Sequence, residues 1–396
     1  MSKRDQQAGA SDATPQAPVF ERLEESILEE IAWAEAARER GEKLVGIYCE
    51  YAPRELILAA GAWPVCLCGF TPEMVAPAEE DLPANLCPLI KSSYGYIKER
   101  ACPFFEAASA IVAETTCDGK KKMFEMIAGR HPTFVLELTQ KPDEPRAFEH
   151  WLGEVRELRR FLERTLETEI TDARLRTAIA RMNRRRQQLL SLYDFTRADE
   201  VYLTGTERLL VNQRMACTPL EDELLAAVRA ELERRRAAGR TAAPPGAVRV
   251  LLTGTPVGPG VDKVLRLAEE SGGIVVVQES CSGAKPLVED VDGAGDPLEA
   301  IARKYFSLPC PCFSPNPGRF ALLDRLVAEF RPAAVIDLVW MACHTYNIES
   351  AQVRSWAQGR GLPFLKVETD YSGSDTEQLR TRIGSLMEMA RGRQGR

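Results

Sequence analysis

The sequence predicts an α/β protein built from two parallel-sheet domains, with a helical segment between them and a helix near the N-terminus. Short apolar runs of strand length alternate with longer amphipathic segments over residues 44–138 and again over 247–368, the order expected of βαβ units. The stretch from about 145 to 240 carries apolar residues at three- and four-residue spacing with no strand pattern. A chain of 396 residues also exceeds one ordinary core. The expected divisions are a disordered tail over 1–18, a helix and first α/β domain over 19–144, the helical segment over 145–243 and the second α/β domain over 244–396.

The tail, MSKRDQQAGASDATPQAP, lacks the apolar core of a secretory signal. From Val19 to Arg40, Phe20, Leu23, Ile27, Leu28, Ile31 and Ala32 recur at helical spacing, and Gly41 supplies a stop. The strand LVGIY (44–48) leads to Cys49, followed by a helix from Pro53 to Gly61 and a short strand over 63–68. A helix starts after Cys87-Pro88; the strand SAIVAE (109–114) precedes Cys117, a helix over 119–129 and the strand TFVLEL (133–138). After the charged helices, TAAPPG (241–246) reads as a boundary. The second run holds the strands AVRVLLTG (247–254), GIVVVQ (273–278), AAVIDLVW (333–340) and PFLKVE (363–368), with helices after Val261, over 296–306, over 348–361 and from Asp375.

Apolar content of 45% with 28% charged residues describes a soluble globular protein, and a net charge of −7 argues against general nucleic-acid binding. Arg184-Arg185-Arg186 and Arg234-Arg235-Arg236 are expected on solvated helix faces. No apolar run approaches the ~20 residues that cross a bilayer, so a cytoplasmic protein without membrane contact is expected. Eleven cysteines in a reducing compartment point to metal or redox chemistry rather than disulfides, and three histidines are too few for a histidine-rich zinc, copper or non-haem iron site.

The cysteines divide by position. Cys66 and Cys68 alternate within a strand-like stretch, so their side chains are expected on opposite faces as packing residues. Cys217, in a helical region, and Cys102, before a proline, read as inert. Cys49, Cys87, Cys117, Cys281, Cys310, Cys312 and Cys343 fall instead in loops at strand ends or helix starts, the rim where open α/β sheets bind ligands. Cys117 is the strongest of these: the helix start at Asp118 and the neighbouring Lys120, Lys121 and Lys122 are expected to lower its pKa and favour thiolate. All-thiolate ligation with almost no histidine is the chemistry of iron–sulfur clusters, with scattered structural thiols as the alternative. The loop TGTPVGPGVDK (253–263) lacks the ending of a phosphate-binding Walker loop, so it is expected to line a cleft and no direct ATP site is predicted.

Longer phrases add a resemblance. YCEYAPRELILAAGAWPV, CPLIKSSYGYI, ETTCDGKKKMFE, ESCSG, PCPC, CHTYNIES and FLKVETDYSGSDTEQLRTRI resemble the 2-hydroxyacyl-CoA dehydratase D-component family, which includes benzoyl-CoA reductase subunits. Within it the chain is most similar to the double-cubane cluster proteins. The resemblance implies two Rossmann-like domains with a cluster between them. It implies either a single 4Fe-4S cluster on Cys87, Cys117 and Cys343, or a double-cubane 8Fe-9S centre that adds Cys49, Cys281 and Cys310, with Cys312 as the substitute for Cys310.

The implied activity is reduction of a small molecule with electrons from a separate ATP-dependent iron–sulfur reductase, in a homodimer. Its alternatives are dehydration of a 2-hydroxyacyl-CoA, reduction of an aryl-CoA, or a non-catalytic role as electron carrier or cluster-delivery protein. One lysine of Lys120, Lys121 and Lys122 is expected to face inward. His344 reads as a hydrogen-bond or proton donor, or as a structural residue at a helix start. KSSYG (91–95) and ETDYSGSD (368–375) are expected to cap helices, and no catalytic acid or base is assigned.

Overall fold

The computed structural model describes residues 18–214 and 218–394. The first half runs α1 (Pro18–Glu39), β1 (Lys43–Ile47), α2 (Arg54–Ala59), β2 (Ala62–Cys66), α3 (Val75–Ala78), α4 (Pro88–Lys98), α5 (Pro103–Ala107), β3 (Ala110–Glu114), α6 (Asp118–Ile127) and β4 (Thr133–Leu136). Then come α7 (Ala147–Leu166), α8 (Asp172–Ser191), α9 (Asp194–Arg197), α10 (Gly205–Arg214) and α11 (Glu221–Ala237). The second half holds β5 (Val248–Gly254), α12 (Lys263–Glu270), β6 (Gly273–Glu279), α13 (Pro297–Phe306), α14 (Pro317–Phe330), β7 (Ala334–Trp340), α15 (His344–Gly359), β8 (Phe364–Thr369) and α16 (Thr376–Gln394). The tail expected over 1–18 lies outside the described residues except for Pro18, which opens α1, and Cys217 also lies outside them.

Both sheets are wholly parallel and share one topology. Their strand orders are β2-β1-β3-β4 and β6-β5-β7-β8. Gly46 of β1 pairs with Val65 and Ile111, and Leu252 of β5 pairs with Gln278 and Ile336, so each half is Rossmann-like. Every residue of β3, β6 and β7 is buried, because helices cover both faces of each sheet. That burial explains why these strands read as continuous apolar runs.

The helical segment packs onto both halves. Val45, Ile47 and Val112 face Trp151 and Leu158 of α7, Ile179 of α8 and Ile301 and Tyr305 of α13 in one core. Helix α13 thus reaches from the second half over the first sheet, and Trp151 Nε1 donates to the Ala302 carbonyl at 2.9 Å. Leu210 of α10 and Leu225 of α11 pack with Ile274 and Val276 of the second sheet. Gly258, in the loop after β5, lies against the Phe70 ring, where a Cβ would come within 2.3 Å of ring carbons.

The expected solvation of the arginine runs fails at Arg185, Arg186 and Arg235, and one further helix was not expected. Arg186 is not solvated: its side chain is 3% exposed and pairs with the fully buried Glu55 of α2. Helix periodicity shows which residues share a face, but which face is covered depends on the partner, here α2. Helix α14, unassigned from the sequence, begins at Pro317, where proline is favoured because its missing N–H has no helical acceptor.

Candidate metal centre

Parallel strands all end on the same side, and the ends of both sheets open onto one cavity of about 870 Å³. Its wall includes Cys49, Cys66, Cys68, Cys87, Cys117, Cys281, Cys310, Cys312 and Cys343, every described cysteine except Cys102. These thiols sort into groups by their nearest sulfur neighbours.

Cys87, Cys117 and Cys343 form the first group. Each immediately precedes a helix, α4, α6 and α15 respectively, so three helix N-termini with unsatisfied N–H groups meet around them. Cys117 Sγ accepts the Lys120 N–H at 3.4 Å. The Cys343 thiol and the N–H groups of Leu89 and Ile90 face Cys87 and lower its pKa, while the same sulfur contact raises Cys343. The turn that delivers Cys343 holds Ala342 at φ 60°, a left-handed conformation unusual for alanine.

Cys49, Cys281, Cys310 and Cys312 form the second group. Cys49 lies just beyond β1, Cys281 just beyond β6, and the other two in the loop between α13 and α14. Tyr51, whose hydroxyl neighbours all four, donates to the Leu308 carbonyl at 2.5 Å and fixes that loop. The Cys312 thiol and N–H bring Cys310 down to about 7, whereas burial pushes Cys281 up to about 12 and raises Cys49.

With this geometry in view, the comparisons with known proteins decide the family. The family model described as 2-hydroxyglutaryl-CoA dehydratase, D-component, matches residues 49–390. The chain belongs to that family. It is 41% identical to the putative dehydratase subunit YjiM of Escherichia coli (strain K12) over 359 residues, 89% of this chain and 92% of that one. It is also 23% identical over 361 residues to the lactoyl-CoA dehydratase subunit beta of Anaerotignum propionicum, covering 89% and 92% of the two chains. Against the (R)-phenyllactyl-CoA dehydratase beta subunit of Clostridium sporogenes it is 22% identical over 355 residues, covering 88% and 92%.

In this D-component chain two buried Lys–Glu pairs stand beside the thiols, one next to Cys49, Cys68 and Cys117 and the other next to Cys281 and Cys310. Lys120, 16% exposed at its side chain, pairs with fully buried Glu114 at the end of β3. Lys285, 2% exposed, lies 3.0 Å from Glu279 at the end of β6. Burial opposes both ammonium groups, but the carboxylates and nearby thiols outweigh it and raise both lysines. Arg319, wholly buried, completes the second site with bonds to Glu279 at 3.2 Å and Thr253 at 2.9 Å and a pair to Glu349. Lys285 Nζ donates to the Tyr346 hydroxyl at 3.1 Å.

The donor set suits an iron–sulfur centre: thiols on two walls, desolvated surroundings and two buried ammonium groups beside them. Lys120 is the inward lysine of its run; Lys121 and Lys122 pair outward with Asp118 and Glu125. The expectation of a lowered Cys117 pKa is overturned, because burial outweighs the Lys120 charge and the helix terminus and raises it. His344 is exposed on the cavity rim.

Cys66 and Cys68 also depart from expectation. Strand β2 ends at Cys66, so pleat alternation does not extend to Cys68, and the two thiols face each other on the cavity wall. A strand-end position, the feature that selected the other cysteines, was available for Cys66 once the strand was ended two residues earlier. Ser92 and Ser93 of KSSYG do not cap a helix. They pin the loop after β2, with Gly69 N–H donating to Ser93 at 2.9 Å and Ser92 donating to the Thr71 carbonyl at 2.8 Å.

Proposed function

We propose that this chain is the iron–sulfur component of a two-part reductase. It holds a double-cubane 8Fe-9S cluster on Cys87, Cys117 and Cys343 at one end and on Cys49, Cys281 and Cys310 at the other. It receives low-potential electrons from a separate ATP-dependent iron–sulfur reductase and passes them to a small molecule. The observation that carries this reading is the sorting of thiols into two groups within one cavity, with one buried Lys–Glu pair beside Cys49 and Cys117 and another beside Cys281 and Cys310. A single cubane accounts for the first group only.

When bound, such a cluster supplies storage and transfer of single electrons at low potential. The chain's own groups set its surroundings. Three helix N-termini and the Lys120 and Lys285 ammonium groups offset negative charge, while Phe70 and Trp340 help exclude water from the cavity. Cys310 is the ligand in preference to Cys312, because Cys312 is the more buried of the two. The TGTPVGPGVDK loop serves as a wall, with Gly258 seated on Phe70, and ATP chemistry belongs to the partner. A chain that supplies both thiol groups requires no unlike ligand-bearing subunit, which favours a homodimer.

The names of the two dehydratase beta subunits favour a second reading, dehydration of a 2-hydroxyacyl-CoA over a single 4Fe-4S cluster. Anaerobic iron and acid-labile sulfide analysis separates the two. The double cubane gives about eight irons per chain, with about half lost in either Cys117→Ala or Cys281→Ala. A single cubane gives about four, lost in Cys117→Ala and retained in Cys281→Ala. Full iron retention in both variants removes both readings.

A further inference from the structure

We propose that Cys66 and Cys68 form a thiol–disulfide exchange site on the cavity wall, separate from the two ligand groups, that takes low-molecular-weight disulfides. Three observations carry it. Cys66 is exposed and lines the cavity, so a small molecule that enters can reach it. The loop after β2, pinned by Ser92 and Ser93, curls Cys68 back so that both its thiol and its N–H face the Cys66 sulfur. Tyr48, 3% exposed, points a hydroxyl without a hydrogen-bond partner toward Cys102, Cys68 and Cys66, leaving an O–H donor free beside the pair. The sulfur neighbours of Cys66 and Cys102 lie within this set, and Cys68 faces Cys66 first and Cys49 of the second group after it. The Cys310–Cys312 pair has a similar hydrogen bond but differs in access, because Cys312 is buried and Cys310 faces Lys285 and Cys281.

The reaction balances without a further reductant. The Cys66 thiolate attacks one sulfur of a disulfide RSSR, forming a Cys66–S–S–R bond and releasing RS⁻. Cys68 then gives up its proton and displaces the second RS⁻, forming the Cys66–Cys68 disulfide. The dithiol loses two electrons, the small disulfide gains them, and two RSH leave. Cys68 is suited to the second step because it already touches Cys66. It is held as a thiol beside Cys66, and its S–H donates to the Tyr48 carbonyl at 3.2 Å.

The contact with Cys68 also lowers Cys66 to about 7, against burial. At neutral pH the larger thiolate fraction outweighs the loss of intrinsic nucleophilicity, and the net gain over an ordinary thiol is about threefold.

The test uses the full chain as purified, under anaerobic conditions, with 4,4′-dithiodipyridine as the disulfide. Wild type should show a fast phase that releases two thiopyridone equivalents per chain and leaves a Cys66–Cys68 disulfide in the peptide map. Cys68→Ser should release one equivalent in that phase and retain the reagent half on Cys66. Cys66→Ser should lose the phase and keep its iron content. A fast phase that survives Cys66→Ser, or two equivalents released from Cys68→Ser, overturns the proposal. Iron loss in Cys66→Ser also overturns it, since Cys66 would then be a ligand. The readout is thiol release, so it stands whether the iron stoichiometry proves to be one cubane or two.

Discussion

Replacing Arg186 by Met tests how the two halves are tied together. Arg186 on α8 pairs with Glu55 on α2, both inside the protein, and Tyr305 of α13 donates to the other Glu55 oxygen at 2.7 Å. The Arg54 N–H in turn donates to the Tyr305 oxygen at 3.1 Å. One carboxylate thus joins the first sheet's helix, the helical segment and a helix of the second half. Met keeps most of the volume and removes the charge, leaving a buried carboxylate without its cation. Removing one partner of a buried pair destabilises by about 3–5 kcal/mol, and the surviving Tyr305 bond places this site at about 3 kcal/mol.

The pH dependence of that loss is the sharper measurement. In wild type, burial opposes ionisation of Glu55, but the Arg186 charge and the bonds from Arg186 and Tyr305 outweigh it, so the carboxyl titrates below its ordinary 4.5. Its stabilisation is therefore present above the unfolded value and is lost as pH falls through the folded one. In Arg186→Met, burial dominates and the folded pKa rises above 4.5, so the variant gains relative stability on acidification. Urea unfolding at pH 7 and pH 5 should show a deficit that shrinks at the lower pH, and Glu55→Gln/Arg186→Met should recover part of it. A pH 7 deficit under about 1 kcal/mol, within the range of an exposed pair, would refute the reasoning. So would an equal deficit at both pH values.

Other outcomes follow from the same geometry. Lys120→Met leaves Glu114 buried and uncompensated and should destabilise by about 3–5 kcal/mol in urea, whereas Lys122→Met, whose pair is exposed, should leave the midpoint unchanged. Equal midpoints would show that Glu114 does not depend on Lys120. Gly258→Ala puts a methyl into the Phe70 ring and should destabilise by about 1–3 kcal/mol through overpacking, with lowered iron content because the cavity wall shifts; wild-type iron and stability together would count against that wall. Trp151→Ala removes the ring that joins α7 to α13 and should lose about 3–5 kcal/mol, measured by thermal or urea unfolding.

Several features were legible because they are local. The strands around Gly46, Val112, Val250 and Ile336 are apolar on both faces, and a parallel sheet covered by helices demands that pattern. Cys87, Cys117 and Cys343 stand before helix starts that Pro88, Asp118 and the turn at Ala342 mark nearby in the chain. The failures are not local. Cys68 follows Cys66 by two residues, yet its direction depends on Ser92 and Ser93, more than twenty residues later, which curl the loop. Arg186 looks like part of a solvated basic run until Glu55 is placed opposite it.

The kind of chemistry available could be read from residue order alone: many thiols, few imidazoles, and cysteines set at the ends of strands, since residue type and short-range periodicity need no partner to be read. Which sulfurs are neighbours, and what charge stands beside them, emerged with the folded chain. Those facts depend on two sheets closing on a shared cavity and on the depth of burial there, where desolvation of Cys117 outweighs the lysine beside it.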